Sequence, residues 1–202
     1  MFLDVAGAAV VDVYALLVGV VTPRPIAWVT SVDAAGQVNL APFSFYNAFG
    51  ANPPVVVFSP TLRRDGSRKD TLRNVEATGE FVLNAAVEAL AEPMNLSSKE
   101  LPYGESEVAL AGLTLLPSIK VKPPRVAETP VNMECKVLQV VPVGNGAVAA
   151  NLVIGEILAF HVDDGVLDGA GKVDPRKLHT IARLGGDYYC RTTDLFEMKR
   201  PR

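Results

Sequence analysis

The sequence predicts a mainly β fold with short α decorations, in which hairpin-linked antiparallel strands close into a barrel. Strand-like segments rich in β-branched and aromatic residues recur along the chain, with turn residues between them. Turn signals at 33–37 (DAAGQ) and 144–146 (GNG) favour hairpins at both places. Neither GxGxxG nor GxxxxGK[ST] occurs, so nothing in the sequence supports a Rossmann fold or a P-loop.

The first half of the chain predicts one helix and three strands. A short helix is expected at 12–17, before a proline-rich entry. Residues 26–32 (IAWVTSV) are typical of a strand, and the return strand of its hairpin starts at 38–41. We expect 41–52 to be irregular and aromatic. Residues 55–59 (VVVFS) form a short apolar run, which predicts a buried strand.

The middle of the chain begins with a predicted helix at 71–78. Asp70 is the expected N-cap, and Gly79 is the expected end of the helix. A strand follows at 80–84 (EFVLN), and 87–97 is expected to be helical.

The last part of the chain carries the longest predicted strands. After a loop-rich stretch at 101–122, residues 131–143 read as one strand and 147–162 as its hairpin partner. An acidic, glycine-rich loop follows at 163–174, and 175–189 begins with a helical patch.

Length and composition indicate one globular domain over residues 1–202, with 49% hydrophobic and 20% charged residues. The net charge of −3 does not favour nucleic acid or an anionic membrane as a partner. Cys135 and Cys190 form no CxxC pattern and are too few for a disulfide scaffold, which favours the reducing cytoplasm. The cysteines and the two histidines are too far apart in sequence to indicate a metal site.

The N-terminal residues 2–21 are mostly apolar and about as long as a membrane helix. Asp4 and Asp12 interrupt them and no basic residue precedes them, so we predict neither a membrane span nor a secretory signal. The mean hydropathy of +0.24 fits two interpretations equally well: an extensive subunit interface, or a core rich in alanine and valine.

Two segments combine polar groups with aromatic or strand-forming residues. Thr30 and Ser31 place two hydroxyls near a strand end, where they could hold a phosphate or the rim of a planar ligand. The alternative interpretation, which the two residues alone favour, is an ordinary strand that enters a turn, where threonine and serine are common. In 41–49 (APFSFYNAF), Ser44 and Asn47 lie among four aromatic residues, a composition suited to a flat heteroaromatic ring or to a packed hydrophobic loop.

The segment 63–73 is basic within an acidic chain, with five basic and two acidic side chains and a local net charge of +3. Lys69, Asp70 and Thr71 fall at a predicted helix start, where free amide hydrogens and the helix dipole bind phosphate. The alternative interpretation is a solvated run of charges, and a nucleic-acid patch is less favoured because the segment is short.

Several motifs, in order along the chain, resemble the flavin reductase-like, FMN-binding split-barrel family that includes flavoredoxin. These are PRPIAWVTS, NLAPFSFYNAF, SRKDTLRN, GEFVLN, KPPRVAETPVNMECKV, VIGEILAFHVDDGVLD and IARLGGDYY, which together span about 23–189. The resemblance implies an antiparallel split β-barrel of the FMN-binding type that forms a homodimer, with one flavin per subunit near the interface.

The resemblance also implies a set of flavin contacts. They are Trp28, Thr30, Ser31, Ser44, Asn47, Lys69, Asp70, Thr71, His161 and Tyr188, with Arg24 as a further candidate. Lys69 and Thr71 would face the phosphate, whereas Ser44 and Asn47 would border the ring. His161 and Tyr188 could approach the flavin across the dimer, although a buried histidine bonded to a strand carbonyl is an equally good interpretation of His161.

The implied activity is that of an FMN-binding oxidoreductase, an NAD(P)H-dependent flavin reductase in which no side chain need act as acid or base. FAD is possible in place of FMN. An electron-accepting partner protein is also possible. Two alternatives stay open: a flavoredoxin-like FMN carrier without an NAD(P)H site of its own, and a barrel that has lost its flavin.

Overall fold

The computed structural model describes residues 1–102 and 105–201, and eleven strands lie within these ranges. They are β1 (Ala27–Val32), β2 (Val38–Phe43), β3 (Tyr46–Ala51), β4 (Pro54–Phe58), β5 (Glu80–Ala85), β6 (Leu115–Leu116), β7 (Arg125–Val126), β8 (Val131–Val143), β9 (Ala150–Val162), β10 (Ile181–Arg183) and β11 (Tyr189–Arg191). Seven of them form one antiparallel sheet in the order β2-β1-β5-β8-β9-β4-β3. The short strands pair as β6 with β7 and β10 with β11.

The sheet must curl because its two edge strands are neighbours in sequence. Strands β2 and β3 lie at opposite edges, yet only Ser44 and Phe45 separate them. Three Cα steps reach at most about 11 Å. The end of β2 is therefore held close to the start of β3, although the two edge strands do not pair as a ladder. This junction at Ser44 and Phe45 is the seam of the barrel.

Five helices accompany the sheet within the described residues. They are α1 (Val10–Val20), α2 (Asp70–Thr78), α3 (Ala91–Leu96), α4 (Glu107–Leu110) and α5 (Pro175–Leu178). Single 3-10 turns lie at Val5–Gly7, Glu88–Leu90 and Asp164–Val166. In the ranges that the structure describes, no helix combines the length and apolarity that a membrane crossing requires.

The predicted mainly β architecture is confirmed, but the expectation of an irregular segment at 41–52 was wrong. Residues 46–51 form the edge strand β3, whose register with β4 shifts between Ala48 and Gly50. Five of its six residues are exposed. Without a buried face, β3 lacks the apolar alternation from which strands are recognised.

Helix ends also differ from the predicted ones. Helix α1 runs from Val10 to Val20 and is therefore longer than the predicted 12–17. Asp70 is not the N-cap of α2: Lys69 holds that position, with no side-chain cap bond, and Asp70 lies in the first turn. Gly79 ends the helix as predicted, in the left-handed conformation with φ 71°.

Strand β1 separates two hydrophobic clusters because its side chains alternate between two buried faces. Ala27 and Val29 point into the barrel core, whereas Trp28 packs outside it against α3, α4 and β10. Inside the barrel, Gly155 on β9 faces the ring of Phe81. A Cβ at Gly155 would lie 2.5 Å from Phe81 Cζ, so the ring occupies the space that any other residue would need.

A buried arginine ties the N-terminal helix to the C-terminal segment. The Arg24 guanidinium donates from Nη1 to the carbonyls of Val18 (2.5 Å) and Val21 (2.6 Å), and from Nη2 to that of Leu184 (2.9 Å). Its Nε donates to Ser44 Oγ at 3.4 Å, at the link between β2 and β3. The side chain thus joins α1, the C-terminal segment and the barrel seam.

Candidate functional site

A groove runs along the outside of β2 from the start of α2 to the strand pair β10–β11. Its first part is a polar pocket of about 150 Å³ at Asn39, Lys69 and Thr71. Its second part, about 400 Å³, contains Ser44, Asn95, Arg183 and Tyr189. Both parts are lined by Pro42, Phe43 and Ser98, so they are adjacent and are treated together as the groove.

The start of α2 provides anion-binding groups at the first part of the groove. Because Lys69 makes no side-chain cap bond, no side chain at the N-cap occupies the amide hydrogens of the first helical turn. These hydrogens and the helix dipole favour a negative group at this end.

Thr71 is held in a fixed orientation at the same end. Its side chain is buried, and its Oγ1 accepts a hydrogen bond of 2.9 Å from Asn39 Nδ2 on β2. The amide thereby uses the acceptor side of the hydroxyl, and the hydroxyl hydrogen is left for an acceptor in the groove.

Lys69 supplies a positive charge without a contacting counter-charge. Its Nζ lies 5.6 Å from the centre of the Phe43 ring, and no described carboxylate lies within ion-pair distance of it. Burial lowers the pKa of Lys69, an effect that Glu100 opposes and Arg63 reinforces. A bound anion would therefore be the natural partner of this ammonium group.

Three carboxylates also line the first part of the groove, those of Asp70, Glu100 and Glu107, and each has a partner of its own. Asp70 accepts from Arg63 at 3.4 Å, and Glu100 Oε1 lies 3.9 Å from Nε of the same arginine. Glu107 Oε2 accepts from the Leu40 amide at 2.9 Å. Glu107 is buried, and its burial raises its pKa. Although three carboxylates line the pocket, none that the structure describes lies within ion-pair distance of Lys69.

The second part of the groove offers aromatic surface with polar groups at its edge. The Arg183 guanidinium carbon lies 4.5 Å from the centre of the Tyr189 ring, and Arg183 forms an ion pair with Asp187 at 3.6 Å. Ser44 lies opposite, held by Arg24. A planar ring with polar edges suits such a wall.

Of the predicted contacts, the structure brings Ser44, Lys69, Asp70 and Thr71 together in the groove. Trp28, Thr30 and Ser31 are fully buried behind it and do not line it. Their polar atoms are used within the protein, as the contacts of each show. Trp28 Nε1 donates to Ser97 Oγ (2.9 Å), Thr30 Oγ1 donates to the Pro124 carbonyl (2.6 Å), and Ser31 Oγ accepts from Asn74 (3.1 Å).

Three predicted contacts lie away from the groove within one chain. Asn47 is exposed on β3, and Tyr188 is 75% exposed, whereas its neighbour Tyr189 lines the groove. His161 bonds to the buried Glu134, with 2.6 Å between Nε2 and Oε1, and not to a strand carbonyl. A flavin contact by any of the three stays a prediction that requires a second copy of the chain.

Asn39, Ser98, Arg183 and Tyr189 line the groove but were not among the predicted contacts. Tyr189 adjoins a predicted residue and Arg183 lies in the IARLGGDYY motif, so the sequence contained a signal for both. Asn39 and Ser98 are single polar residues whose approach to Lys69 depends on tertiary packing alone.

The comparison with protein families identifies the family of the chain. Residues 20–181 match the model of the flavin reductase like domain. The chain belongs to the flavin reductase-like family. The family predicted from the sequence motifs is therefore confirmed.

Solved structures agree with this family. The chain is similar to nitrilotriacetate monooxygenase component B from Bacillus cereus, with 36% identity, 98% of each chain covered and a TM-score of 0.92. It is also similar to 2-nitrobenzoate 2-nitroreductase NbaA of Pseudomonas fluorescens, with 33% identity, 100% of this chain and 96% of that chain covered, and a TM-score of 0.89. A putative flavin reductase with a split barrel domain from Shewanella frigidimarina, 22% identical over 100% of both chains with a TM-score of 0.84, shares the fold. The predicted split barrel is thus confirmed.

The hydrogen-bonded pair of Glu134 and His161 predicts that the free energy of unfolding depends on pH. Burial alone would raise the pKa of Glu134, but the amides of Ile119 (2.9 Å) and Lys120 (2.5 Å), together with His161, hold it below its usual value. A carboxylate with a depressed pKa stabilises the fold at pH values above its unfolded pKa of about 4.3, and the stabilisation is lost as the pH falls.

We therefore expect Glu134→Gln to lower the free energy of unfolding by about 1.5–3 kcal/mol at pH 7. The difference from the parent protein should shrink as the pH falls below about 4, because only the parent can lose its charge there. Urea unfolding followed by circular dichroism at pH 7 and pH 3 measures both values. Glu197→Gln, at an exposed site, is the control, and an equal effect of both variants would contradict a stabilising role of Glu134.

Proposed function

We propose that the groove binds FMN and that the protein is an NAD(P)H-dependent flavin reductase. The observation that carries the proposal is the polarity of the groove: an anion site at Lys69, Thr71 and the start of α2 continues into an aromatic wall at Tyr189. This order matches a molecule with a phosphate at one end and a flat ring system at the other. FAD, which carries the same two features, is a second possible ligand.

A bound flavin would supply the redox chemistry, namely hydride transfer from NADH or NADPH and onward electron transfer. The chain's own residues hold and orient it. Lys69 and the Thr71 hydroxyl bind the phosphate, whereas Ser44 and the Arg183–Tyr189 pair border the ring. No groove residue has to donate or remove a proton for hydride transfer.

The similar proteins indicate only the class of electron acceptor that this chain would use. One similar protein is a component of a monooxygenase, which makes a partner protein that receives electrons plausible for this chain. The reduction of a small nitroaromatic compound is the activity in the name of another. The alternative of an FMN carrier without an NAD(P)H site is tested in the same experiment as the reductase.

The first expected outcome is that the purified protein, loaded with FMN, loses its flavin absorbance when NADH or NADPH is added without oxygen. Stopped-flow absorbance with each nucleotide measures the rate and identifies the preferred donor. Bleaching by dithionite but by neither nucleotide would contradict the reductase and favour the carrier. A protein that cannot be loaded with FMN would contradict both.

The second expected outcome concerns the phosphate. Lys69→Met, which keeps the length of the side chain without its charge, should raise the Kd for FMN about 10- to 100-fold, the scale of a hydrogen bond to a charged group. The Kd for riboflavin, which lacks the phosphate, should change little. Fluorescence titration measures both constants, with Lys172→Met at an exposed loop as the control. A parallel loss of riboflavin affinity would contradict the assignment of Lys69 to the phosphate.

We also propose that the chain is a homodimer. Val18 is the only buried residue of α1, although the helix is almost entirely apolar, so its own chain gives it little burial. Its exposed side chains include Val10, Val11, Tyr14, Leu16, Leu17 and Val20. Beside α1 lies an apolar cavity of about 450 Å³ at the turn between β8 and β9. Such an apolar face is typical of a subunit interface.

Sedimentation velocity should accordingly give a species of twice the 21.5 kDa mass of one chain. Leu17→Glu should shift the mass towards that of the monomer, because it places a charge in the apolar interface, whereas Leu195→Glu near the C-terminus should not. A monomeric parent protein at micromolar concentration would contradict the proposed dimer.

Two further parts of the proposal concern the whole chain. Residues 1–202 act as a single domain, because α1 and the C-terminal segment meet at Arg24 next to the groove. A cytoplasmic location fits Cys135 and Cys190, both of which are free thiols.

A further inference from the structure

A second cavity lies at the end of the barrel, on the far side of Ile26 from the groove. It has a volume of about 360 Å³ and is lined by the ends of β1, β5 and β8 together with β10. Ala27, Leu83, Met133 and Ile181 give it a mostly apolar surface. Ile26 borders both the cavity and the groove, but the anion site at Lys69 and Thr71 has no part in it.

The walls of the cavity are fixed by hydrogen bonds between the C-terminal segment and the barrel. The Ile181 amide donates to the Ala86 carbonyl at 3.0 Å, and the Glu88 amide donates to the His179 carbonyl at 2.9 Å. The cavity therefore does not depend on a loop that must close, and a ligand would enter a preformed space.

Most polar groups that line the cavity already have partners. The hydroxyls of Thr180 and Thr192 lie 2.8 Å apart and bond to each other. The Asn84 amide donates to the Trp28 carbonyl and to Thr30, and its oxygen accepts from Val126 and Asn132. None of these groups is free to bind a ligand strongly.

Tyr46 is the exception. No described residue forms a hydrogen bond with its hydroxyl. Among the described residues, Asn74 Oδ1 is the only side-chain N or O atom that is both buried and without a hydrogen bond. The Tyr46 hydroxyl has no hydrogen bond either, so it is not completely buried. Burial, with a smaller contribution from Cys135, raises the pKa of Tyr46 to about 12. The hydroxyl is therefore protonated at neutral pH and can donate.

No charged side chain occurs among the described residues that line the cavity. An ion would lose its hydration there without gaining a counter-charge, so a charged ligand is disfavoured. A neutral apolar molecule gains from burial, and a single acceptor atom on it would satisfy the Tyr46 hydroxyl. A volume of 360 Å³ lies within the range of small-molecule sites.

We propose that this cavity is a second binding site, for a neutral and mostly apolar carbonyl compound whose oxygen accepts a hydrogen bond from Tyr46. The site is independent of the flavin groove. A failure of FMN to bind would leave it intact, and its own test contains no flavin signal.

The test uses two probes of matched shape on the full-length protein. 2-Acetylnaphthalene carries a carbonyl oxygen, whereas 2-isopropylnaphthalene has the same outline without an acceptor. Isothermal titration, or ligand-observed NMR for weaker binding, gives the Kd of each. We expect the ketone to bind about fivefold more tightly, the scale of one hydrogen bond.

Two variants locate the binding. Tyr46→Phe removes only the hydroxyl, so it should abolish the preference for the ketone while the hydrocarbon still binds. Ala182→Leu fills part of the cavity and should weaken both probes, and circular dichroism confirms that each variant is folded.

The proposal is overturned if the parent protein binds neither probe or binds both equally. A preference for the ketone that survives in Tyr46→Phe also overturns it, because the acceptor would then bind elsewhere. If a folded Ala182→Leu variant binds both probes with unchanged affinity, the probes bind outside the cavity, and the proposal is likewise overturned.

Discussion

The buried guanidinium of Arg24 is the interaction on which the rest of the structure depends. No carboxylate among the described residues pairs with it; instead it donates to three carbonyls and one hydroxyl, two of the carbonyls lying at the end of α1. A helix end carries partial negative charge, which compensates a cation in a buried place. Because the same side chain reaches Leu184 and Ser44, it sets the distance between the C-terminal segment and the seam of the barrel. Arg24 thereby also positions Arg183 and Tyr189, which form one wall of the groove.

At the opposite end of the groove, the buried side-chain amides of two asparagines fix the position of α2. Asn39 joins β2 to the start of α2 through Thr71, and Asn74 joins α2 to β1 through Ser31. Each bond lies in the interior, where water does not compete and where an unpaired polar group is costly. The helix start is therefore fixed relative to the barrel, and the groups proposed to bind phosphate are held in place without a ligand.

The sequence predicted the fold well where periodicity and turn chemistry agree. The hairpin of β8 and β9, the strand at β5 and the end of α2 at Gly79 depend on local signals of this kind. The edge strand β3 was missed because it buries almost nothing within the chain. Residues 69–71, where helix start and charge coincide, do line the groove, and their role towards a ligand stays a prediction. The burial of Thr30 and Ser31 was not predictable, since a hydroxyl near a strand end can face a ligand or the core, and only packing decides which.

The way the groove is assembled would link the binding of a ligand to the folding of the chain. The surfaces that would contact a ligand come from β2, α2 and β10–β11, which are far apart in sequence and meet only in the folded chain. The unfolded chain cannot reproduce them, so every molecule held there shifts the folding equilibrium by mass action. A ligand bound in the groove would therefore raise the resistance of the folded chain to heat and proteolysis, increasingly as its concentration exceeds its Kd.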